Sequence, residues 1–252
     1  MIISHRGNGP NAIPNSIPSF ESALRAGADG FECDLRLTAD EHIVIHHNGN
    51  MDVGGRRITV RSSTMRQLDG SRLLTLEGLI DYIAQVRVPA FLEVKNLSPY
   101  VVKRIVAETD RADLWQFVHV VGFPIVINNA IRIQQSYPKL QVLPIAVFPA
   151  SSLVRTTHRG SGILFGWQDS IPASERLFRT VLSPSRLAQL RRKFEQQDKR
   201  LIAGVINRPD GFNYFAGAGI TDFVTDDVPA AVAWQTLRTT EANSGHELAR
   251  TR

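Results

Sequence analysis

The chain contains 252 residues, of which 43% are hydrophobic and 21% are charged, enough for one large α/β domain or two small ones. Its net charge is +5, but the basic residues are scattered in short clusters without interleaved aromatic residues, which argues against a nucleic-acid-binding protein. The single cysteine, Cys33, excludes an intramolecular disulfide and a thiolate metal site.

The first residues, Met1-Ile2-Ile3-Ser4-His5, run into a strand pattern without a basic segment or a long apolar stretch, so we expect no signal peptide. No run approaches the roughly 18 apolar residues of a membrane span. These features predict a soluble, cytoplasmic enzyme or binding domain without integral membrane association.

Short apolar strands alternate with helical patterns along almost the whole chain, which is typical of a parallel α/β sheet. The predicted strands are Met1–His5, Phe31–Thr38, His42–His47, Ala90–Lys95, Gln116–Val121, Gln141–Val147, Gly162–Phe165, Leu201–Asn207 and Asp222–Thr225. The predicted helices are Ile17–Ala26, Thr75–Val86, Pro99–Arg111, Ile125–Ser136, Pro184–Gln197, Gly211–Ala218 and Pro229–Thr239. A count near eight βα units, with one extra strand, favours a (β/α)8 barrel over an open doubly wound sheet.

No composition break or linker divides the chain, so we predict a single domain over residues 1–252. The polar, glycine-rich segment at about 48–74 is predicted to be an excursion at the mouth of the barrel. The polar residues 240–252 are predicted to form a frayed C-terminal tail.

The second predicted strand carries two acidic residues at alternate positions. Because side chains alternate between the faces of a strand, Glu32 and Asp34 share one face. The other face carries Phe31, Cys33 and Leu35. Two buried neighbouring carboxylates force a proton onto one of them unless a hard divalent cation stabilises both. The alternative for this pair alone is the solvated face of an edge strand.

Other polar residues end apolar strands, where an α/β barrel has its active site. They are His5 and Arg6, His46 and His47, Glu93 and Lys95, and Asp226 with Asp227. Only one of the adjacent histidines can face inward, because neighbouring strand residues point to opposite faces. Carboxylates for a divalent cation, cations for phosphate oxygens, and two imidazoles as acid and base together predict a site for a phosphate ester.

Each of these residues also has a purely structural interpretation. A histidine at a strand end is commonly a hydrogen-bonded structural residue, and Glu93 with Lys95 alone fits an ion pair at a rim. A second His-Arg-Gly sequence at 158–160 follows a polar stretch rather than a strand, which predicts a loop. Structural roles are assigned to the remaining histidines, His42, His119, His158 and His246.

Several motifs follow one another in a fixed order along the chain. They are His5-Arg6-Gly7, Asn15-Ser16, Gly27-Ala28-Asp29, Glu32-x-Asp34, Val44-Ile45-His46-His47, Thr75-Leu76-Glu77, Glu93-Val94-Lys95, Val205-Ile206-Asn207 and the segment 219–226. In this order they resemble the glycerophosphodiester phosphodiesterase family of the phospholipase C-like phosphodiesterase superfamily. The likeness spans residue 2 to about residue 236.

The resemblance implies a (β/α)8 barrel of the phospholipase C-like type, a phosphoric diester hydrolase activity and a role in lipid metabolism. The implied partner is a small-molecule phosphodiester, and the implied cofactor is one divalent cation, Mg²⁺ or Ca²⁺. The resemblance assigns acid and base catalysis to His5 and one histidine of the adjacent pair, and the alignment of Met51-Asp52 selects His47. It further assigns the phosphate contacts to Arg6 and Lys95 and the metal ligands to Glu32, Asp34 and Glu93.

The chain departs from the family's usual sequence at four places: Pro14 replaces a glutamate, Asn48 an aspartate, Gly122 a serine and Gly204 a tryptophan. We therefore expect cleavage of glycerophosphodiesters or of a related polyol or sugar phosphodiester to a phosphomonoester and an alcohol. Two alternatives stay open: a phospholyase that forms a cyclic phosphate, similar to sphingomyelinase D-like enzymes, and a catalytically weak barrel that binds phosphate esters.

Overall fold

The computed structural model describes residues 1–7, 12–69, 73–148, 159–168 and 171–250, with the backbone alone for 241–250. Among these residues the strands are β1 (Ile2–His5), β2 (Gly30–Leu37), β3 (Ile43–Ile45), β4 (Asn50–Val53), β5 (Arg56–Thr59), β6 (Ala90–Val94), β7 (Val118–Gly122), β8 (Gln141–Phe148), β9 (Gly162–Trp167), β10 (Arg200–Ala203) and β11 (Phe223–Thr225). Eight of them are parallel and close in the order β1, β2, β6, β7, β8, β9, β10, β11 and back to β1. This closed sheet confirms the predicted (β/α)8 barrel.

Helices surround the strands. They are α1 (Ile17–Arg25), α2 (Leu76–Val86), α3 (Pro99–Arg111), α4 (Pro124–Gln134), α5 (Ser174–Val181), α6 (Pro184–Glu195), α7 (Pro209–Ala216) and α8 (Val228–Arg250). Proline in the first turn and side-chain caps mark several starts, and the caps of α1, α2 and α3 are Ser16, Thr75 and Ser98. No helix among the described residues combines the length and the apolar sequence needed to cross a membrane.

Two helical regions differ from the sequence-based prediction. The helix α5 was not predicted, because Ala173 stands at its N-cap with a φ of 63° and supplies no side-chain hydrogen bond. The last helix runs to Arg250 rather than ending at Thr239, where a frayed tail was expected. Residues 240–250 contain no proline, which allows the helix to continue.

The barrel interior is filled by one buried apolar cluster to which seven of the eight parallel strands contribute: Ile3, Phe91, Val121, Leu143, Ile145, Leu164, Ile202 and Val224. The strand that contributes nothing is β2. Its residue Glu32 lies in register with Phe91 of β6, a member of the cluster, and Asp34 lies in register with Glu93. Carboxylates therefore take the place of apolar side chains along β2 and at the end of β6. The apolar side chains on the outer faces of the strands pack instead against the helices.

The predicted mouth excursion at 48–74 contains more regular structure than a loop. A hairpin formed by β4 and β5 turns at Gly54 and Gly55, both with positive φ, and a short 3₁₀ helix follows at Val60–Ser62. The excursion rests on the turn between β2 and β3, since the Ala39 amide donates to the Ser63 carbonyl at 2.9 Å. It therefore lies beyond the carboxyl end of β2, and its residues 70–72 fall outside the described ranges.

Candidate active site

The end of β1 places a histidine against a carboxylate from the far end of the chain. His5 Nδ1 lies 2.7 Å from Asp226 Oδ1, which follows β11, the neighbour of β1 in the closed barrel. An ionised carboxylate only accepts hydrogen bonds, so Nδ1 carries the hydrogen in this contact. The second ring nitrogen, Nε2, lies 3.8 Å from Glu32 Oε2.

Asp226 is itself held in place by an amide. Asn207 Nδ2 donates to Asp226 Oδ2 at 2.9 Å, and the Asp226 backbone N–H donates to Asn207 Oδ1 at 2.8 Å. The two-sided contact fixes the carboxylate that orients His5. Asn207 ended a predicted strand and Asp226 was noted at a strand end, but nothing local in the sequence connected either residue to a histidine more than 200 positions away.

Three carboxylates converge beside His5. Oxygen atoms of Glu32, Asp34 and Glu93 lie within 4.8 Å of one another, and all three residues are buried. Both oxygens of Glu32 lack a hydrogen-bond partner among the described residues. Burial, followed by the negative charges of Asp34 and Glu93, raises the pKa of Glu32 well above its usual range.

This arrangement fits a hard divalent cation. An unpaired buried carboxylate beside two others is costly in the protein alone, and a cation with oxygen ligands removes that cost. Mg²⁺ and Ca²⁺ are the ions that such an all-carboxylate set suits.

Asp34 organises the positive side chains of the site. Lys95 Nζ lies 2.9 Å from Asp34 Oδ1, and Arg6 Nε lies 3.1 Å from Asp34 Oδ2. Asn15 Nδ2 donates to Asp34 Oδ2, and the Asp34 backbone N–H donates to Asn15 Oδ1, both at 2.9 Å. Although burial opposes ionisation, these two cations and the Asn15 amide hold the pKa of Asp34 below its usual range. Asn15 belongs to the Asn15-Ser16 motif, but the sequence alone assigned no role to its side chain.

Lys95 also binds the third carboxylate, with Nζ 2.6 Å from Glu93 Oε1. Burial alone would lower the pKa of Lys95, but Glu93 and Asp34 outweigh it and raise that pKa above its usual value. The ion pair considered in the sequence analysis is therefore present, and it lies inside the site rather than on an exposed rim, with 14% of the Lys95 side chain exposed.

The adjacent histidines both follow β3, which ends at Ile45 rather than at His47 as predicted, and they face different cavities. His47 lines the same cavity as His5, whereas His46 lines a neighbouring cavity together with Pro14. The backbone carbonyl of His47 accepts a hydrogen bond from Arg36 Nε at 2.9 Å. The ring nitrogen Nδ1 of His47 lies 3.0 Å from Asn48 Oδ1. Burial is the main reason that the pKa of His47 is below its usual value.

The cavity holds about 490 Å³ and has two unlike walls. One wall carries six of the seven predicted site residues, while the seventh, Asp34, lies fully buried behind it; the six are His5, Arg6, Glu32, His47, Glu93 and Lys95. The opposite wall is mainly apolar and includes Phe123, Val147, Leu164, Trp167 and Val205.

At Gly204, in the apolar wall, an added Cβ would lie 2.8 Å from Val224 Cβ. The close packing explains why this chain has no side chain where the family usually has tryptophan.

The remaining histidines lie away from this cavity where they are described. His42 is exposed near Asp40, and His119 is buried in the barrel with its ring stacked on Phe91 at 4.6 Å. His158, the first residue of the second His-Arg-Gly sequence, lies outside the described residues, and so does the side chain of His246.

The fold and the site together define a class of protein: a (β/α)8 barrel with a cation-compatible acidic centre and two imidazoles at the carboxyl ends of its strands. The model of the glycerophosphoryl diester phosphodiesterase family matches residues 5–145, more than half of the chain. The chain belongs to this family, as its motifs predicted.

Individual relatives agree with this assignment. A glycerophosphodiester phosphodiesterase of Caldanaerobacter subterraneus subsp. tengcongensis is 32% identical over 100 residues, which are 38% of this chain and 40% of that protein. The match thus spans about two fifths of that curated relative's length.

Solved structures extend the likeness in fold across the chain. A glycerophosphodiester phosphodiesterase from Parabacteroides distasonis superposes with a TM-score of 0.73 and 19% identity, covering 96% of this chain and 97% of that one. An Oleispira antarctica phosphodiesterase in complex with the product sn-glycerol-3-phosphate has a TM-score of 0.71 and 16% identity, covering 93% and 96% of the two chains. At these identities the likeness shows a common fold.

Proposed function

We propose that the protein is a metal-dependent phosphodiesterase that cleaves glycerophosphodiesters, or a related polyol or sugar phosphodiester, to a phosphomonoester and an alcohol. The proposal is carried by the convergence of three carboxylates within 4.8 Å of one another with His5 and His47 at one cavity. Membership of the family, and the product sn-glycerol-3-phosphate in the Oleispira antarctica neighbour, support it. The proposed setting is cytoplasmic lipid metabolism.

In this proposal Glu32, Asp34 and Glu93 hold one Mg²⁺ or Ca²⁺. The chemistry that such a cation supplies is neutralisation of charge on a phosphoryl oxygen. Arg6 and Lys95 line the cavity while they are bonded to Asp34, so the buried carboxylate fixes both cations where a substrate phosphate would meet them.

The two imidazoles move the protons. In a substrate with a hydroxyl next to the ester carbon, one imidazole takes the hydroxyl proton as the oxygen attacks phosphorus, and the other gives a proton to the departing alcohol. Water then opens the cyclic phosphate with the two imidazoles in reversed roles. His5 enters this sequence oriented by Asp226, whereas His47 is backed by the amide oxygen of Asn48.

The first experiment measures turnover of glycerophosphocholine, glycerophosphoethanolamine, a sugar phosphodiester and bis-p-nitrophenyl phosphate in EDTA, Mg²⁺ or Ca²⁺. We expect turnover that requires a divalent cation. Phosphorus NMR of the product separates a hydrolase, which releases a phosphomonoester, from a phospholyase, which releases a cyclic phosphate. Binding of the phosphodiesters by a folded protein that turns over none of them would favour the catalytically weak barrel.

The roles of the histidines are tested with a matched set of three variants. His5→Ala and His47→Ala should each remove nearly all turnover, whereas His46→Ala should keep it because His46 faces the neighbouring cavity. Loss of activity in the His46 variant alone, or activity within a few-fold of wild type in the other two, would overturn the assignment.

A further inference from the structure

Large apolar side chains are exposed mainly on one face of the barrel. Nine such residues are exposed among those described, and five of them lie in the segments that follow β1, β6, β7 and β9. All the parallel strands end on the same face, so these five share the face that holds the mouth of the cavity. We call them the apolar rim: Ile13, Leu97, Phe123, Ile125 and Ile171.

The rim is continuous with the candidate active site. Asn129 Nδ2 donates to the Leu97 carbonyl at 2.6 Å, which joins the segment of Leu97 to α4, and Ile125 lies one helical turn before Asn129 on α4. Phe123, two residues before Ile125, lines the catalytic cavity. Ile125 is 74% exposed and Leu97 is 54% exposed, and exposed aliphatic side chains clustered at one mouth indicate a contact surface.

A basic segment stands on the same face. The excursion after β3 carries four exposed arginines, Arg56, Arg57, Arg61 and Arg66, and none of them forms an ion pair within the described part of the chain. The excursion begins just after His47 and rests on the turn beyond β2, which places it beside the mouth. We call these four residues the arginine arm.

We propose that this face docks on a lipid bilayer that contains anionic phospholipids, with the apolar rim inserted among the acyl chains and the arginine arm on the headgroup phosphates. Aliphatic side chains that project from separate segments of the chain suit insertion into an apolar layer, whereas a peptide partner requires a receiving groove. A nucleic acid would pair with the arginines but offers nothing to Leu97 and Ile125, which do not stack on bases. A bilayer with anionic headgroups offers an apolar layer to the rim and phosphate groups to the arginines.

Sedimentation with lipid vesicles tests the proposal, using the whole chain with vesicles of phosphatidylcholine alone or of phosphatidylcholine with phosphatidylglycerol. We expect binding to the anionic vesicles that weakens as salt rises. Binding of this kind does not depend on the proposed phosphodiesterase activity, so either proposal can fail without the other.

Two pairs of variants separate the contributions of the rim and the arm. Leu97→Ser with Ile125→Ser should weaken binding to both kinds of vesicle about tenfold, while Leu237→Ser, an exposed leucine on α8, should leave it unchanged. Arg56→Gln with Arg57→Gln should weaken binding to anionic vesicles about thirtyfold. Arg192→Gln with Lys193→Gln, which removes the same charge from α6, should change binding much less.

Turnover of soluble bis-p-nitrophenyl phosphate and the thermal unfolding midpoint should match wild type in all four variants, which shows that the fold and the cavity are intact. The proposal is overturned if the protein sediments with neither kind of vesicle, or if the control variants lose as much binding as the rim and arm variants. Arginine-dependent binding to duplex DNA without any binding to vesicles would likewise overturn it, in favour of a polyanion partner.

Discussion

The two walls of the catalytic cavity differ in what their strands present. On one side β1, β2 and β6 present imidazole, carboxylate and ammonium groups, and on the other β8, β9 and β10 present Val147, Leu164 and Gly204. The family model matches residues 5–145, which include every charged residue of the first wall and end before these three residues of the second. The family match therefore covers the charged wall as a whole and the apolar wall only in part.

The walls also differ in how they are held together. The charged wall is a network in which Asp34 contacts three side chains, while the oxygens of Glu32 have no hydrogen-bond partner among the described residues. Its parts therefore depend on one another and, in the proposed function, on a cation. The apolar wall is held by the packing of apolar side chains. We therefore expect substitutions in the first wall to act on all substrates alike and substitutions in the second to act on particular alcohols.

The largest effect is expected at Glu32. Glu32→Gln keeps the size of the side chain but removes the charge that the proposed metal site needs, so turnover should fall at least about a thousandfold. In EDTA the variant should unfold at a higher temperature than wild type, because it no longer buries an unpaired carboxylate. Wild type should also lose stability in EDTA as pH rises, since the raised pKa of Glu32 means that the folded protein holds a proton that the unfolded chain releases.

Differential scanning calorimetry in EDTA and in Mg²⁺, together with turnover, measures these changes. Glu41→Gln, at an exposed position, is the matched control and should change neither quantity. Full turnover in the Glu32 variant would refute the metal assignment.

The next effect is expected at Asp226, which orients His5 without lining the carboxylate cluster. Asp226→Asn preserves the shape but lets the amide donate to Nδ1, which favours the wrong tautomer of the imidazole, so turnover should fall about a hundredfold to a thousandfold. Nitrogen NMR of the His5 ring should show the hydrogen on Nδ1 in wild type and on Nε2 in the variant. Asp227→Asn, one residue further and exposed, is the control, and an unchanged tautomer in Asp226→Asn would contradict the orienting role.

A smaller effect is expected from His119, below the charged wall. Its burial, with a further contribution from the charge of Arg200, lowers its pKa to about 4. The folded protein therefore resists protonation of His119, and stability is lost as pH falls from about 6.5 towards 4, by about 2 kcal/mol at pH 5. His119→Phe keeps the aromatic contact with Phe91 and should flatten that part of the stability profile in urea titrations. An unchanged acid slope in the variant would exclude His119 as its source.

The smallest effect is expected in the apolar wall. Val147→Ala should alter the ratio of kcat/KM between glycerophosphocholine and bis-p-nitrophenyl phosphate by about tenfold, because one or two methyl groups in a pocket discriminate at that level. The cation concentration for half-maximal turnover should stay the same. Val142→Ala, on the same strand but packed against the helices, should change stability rather than the substrate ratio. Equal effects of the two variants on that ratio would contradict the expectation that the apolar wall discriminates between alcohols.

The sequence by itself determined the barrel and most of the charged wall. The alternation of strands and helices, the first-turn prolines and the period of two along β2 act over a few residues, so they can be read without knowing the fold. The same local rule, applied to a predicted strand that reached His47, left only one of His46 and His47 to face inward. In the structure β3 ends at Ile45, and the tertiary structure is what places His47 at the cavity.

Only the tertiary structure decided which distant groups meet. Closure of the barrel brings β11 beside β1 and so sets Asp226 against His5, and it brings Asn15 to Asp34 across the loop after β1. The helix α5 was missed for the complementary reason, since its start at Ala173 carries no capping side chain for the sequence to reveal. Local preferences fix the elements, but contacts between residues far apart in the chain form only when long-range packing brings those elements together.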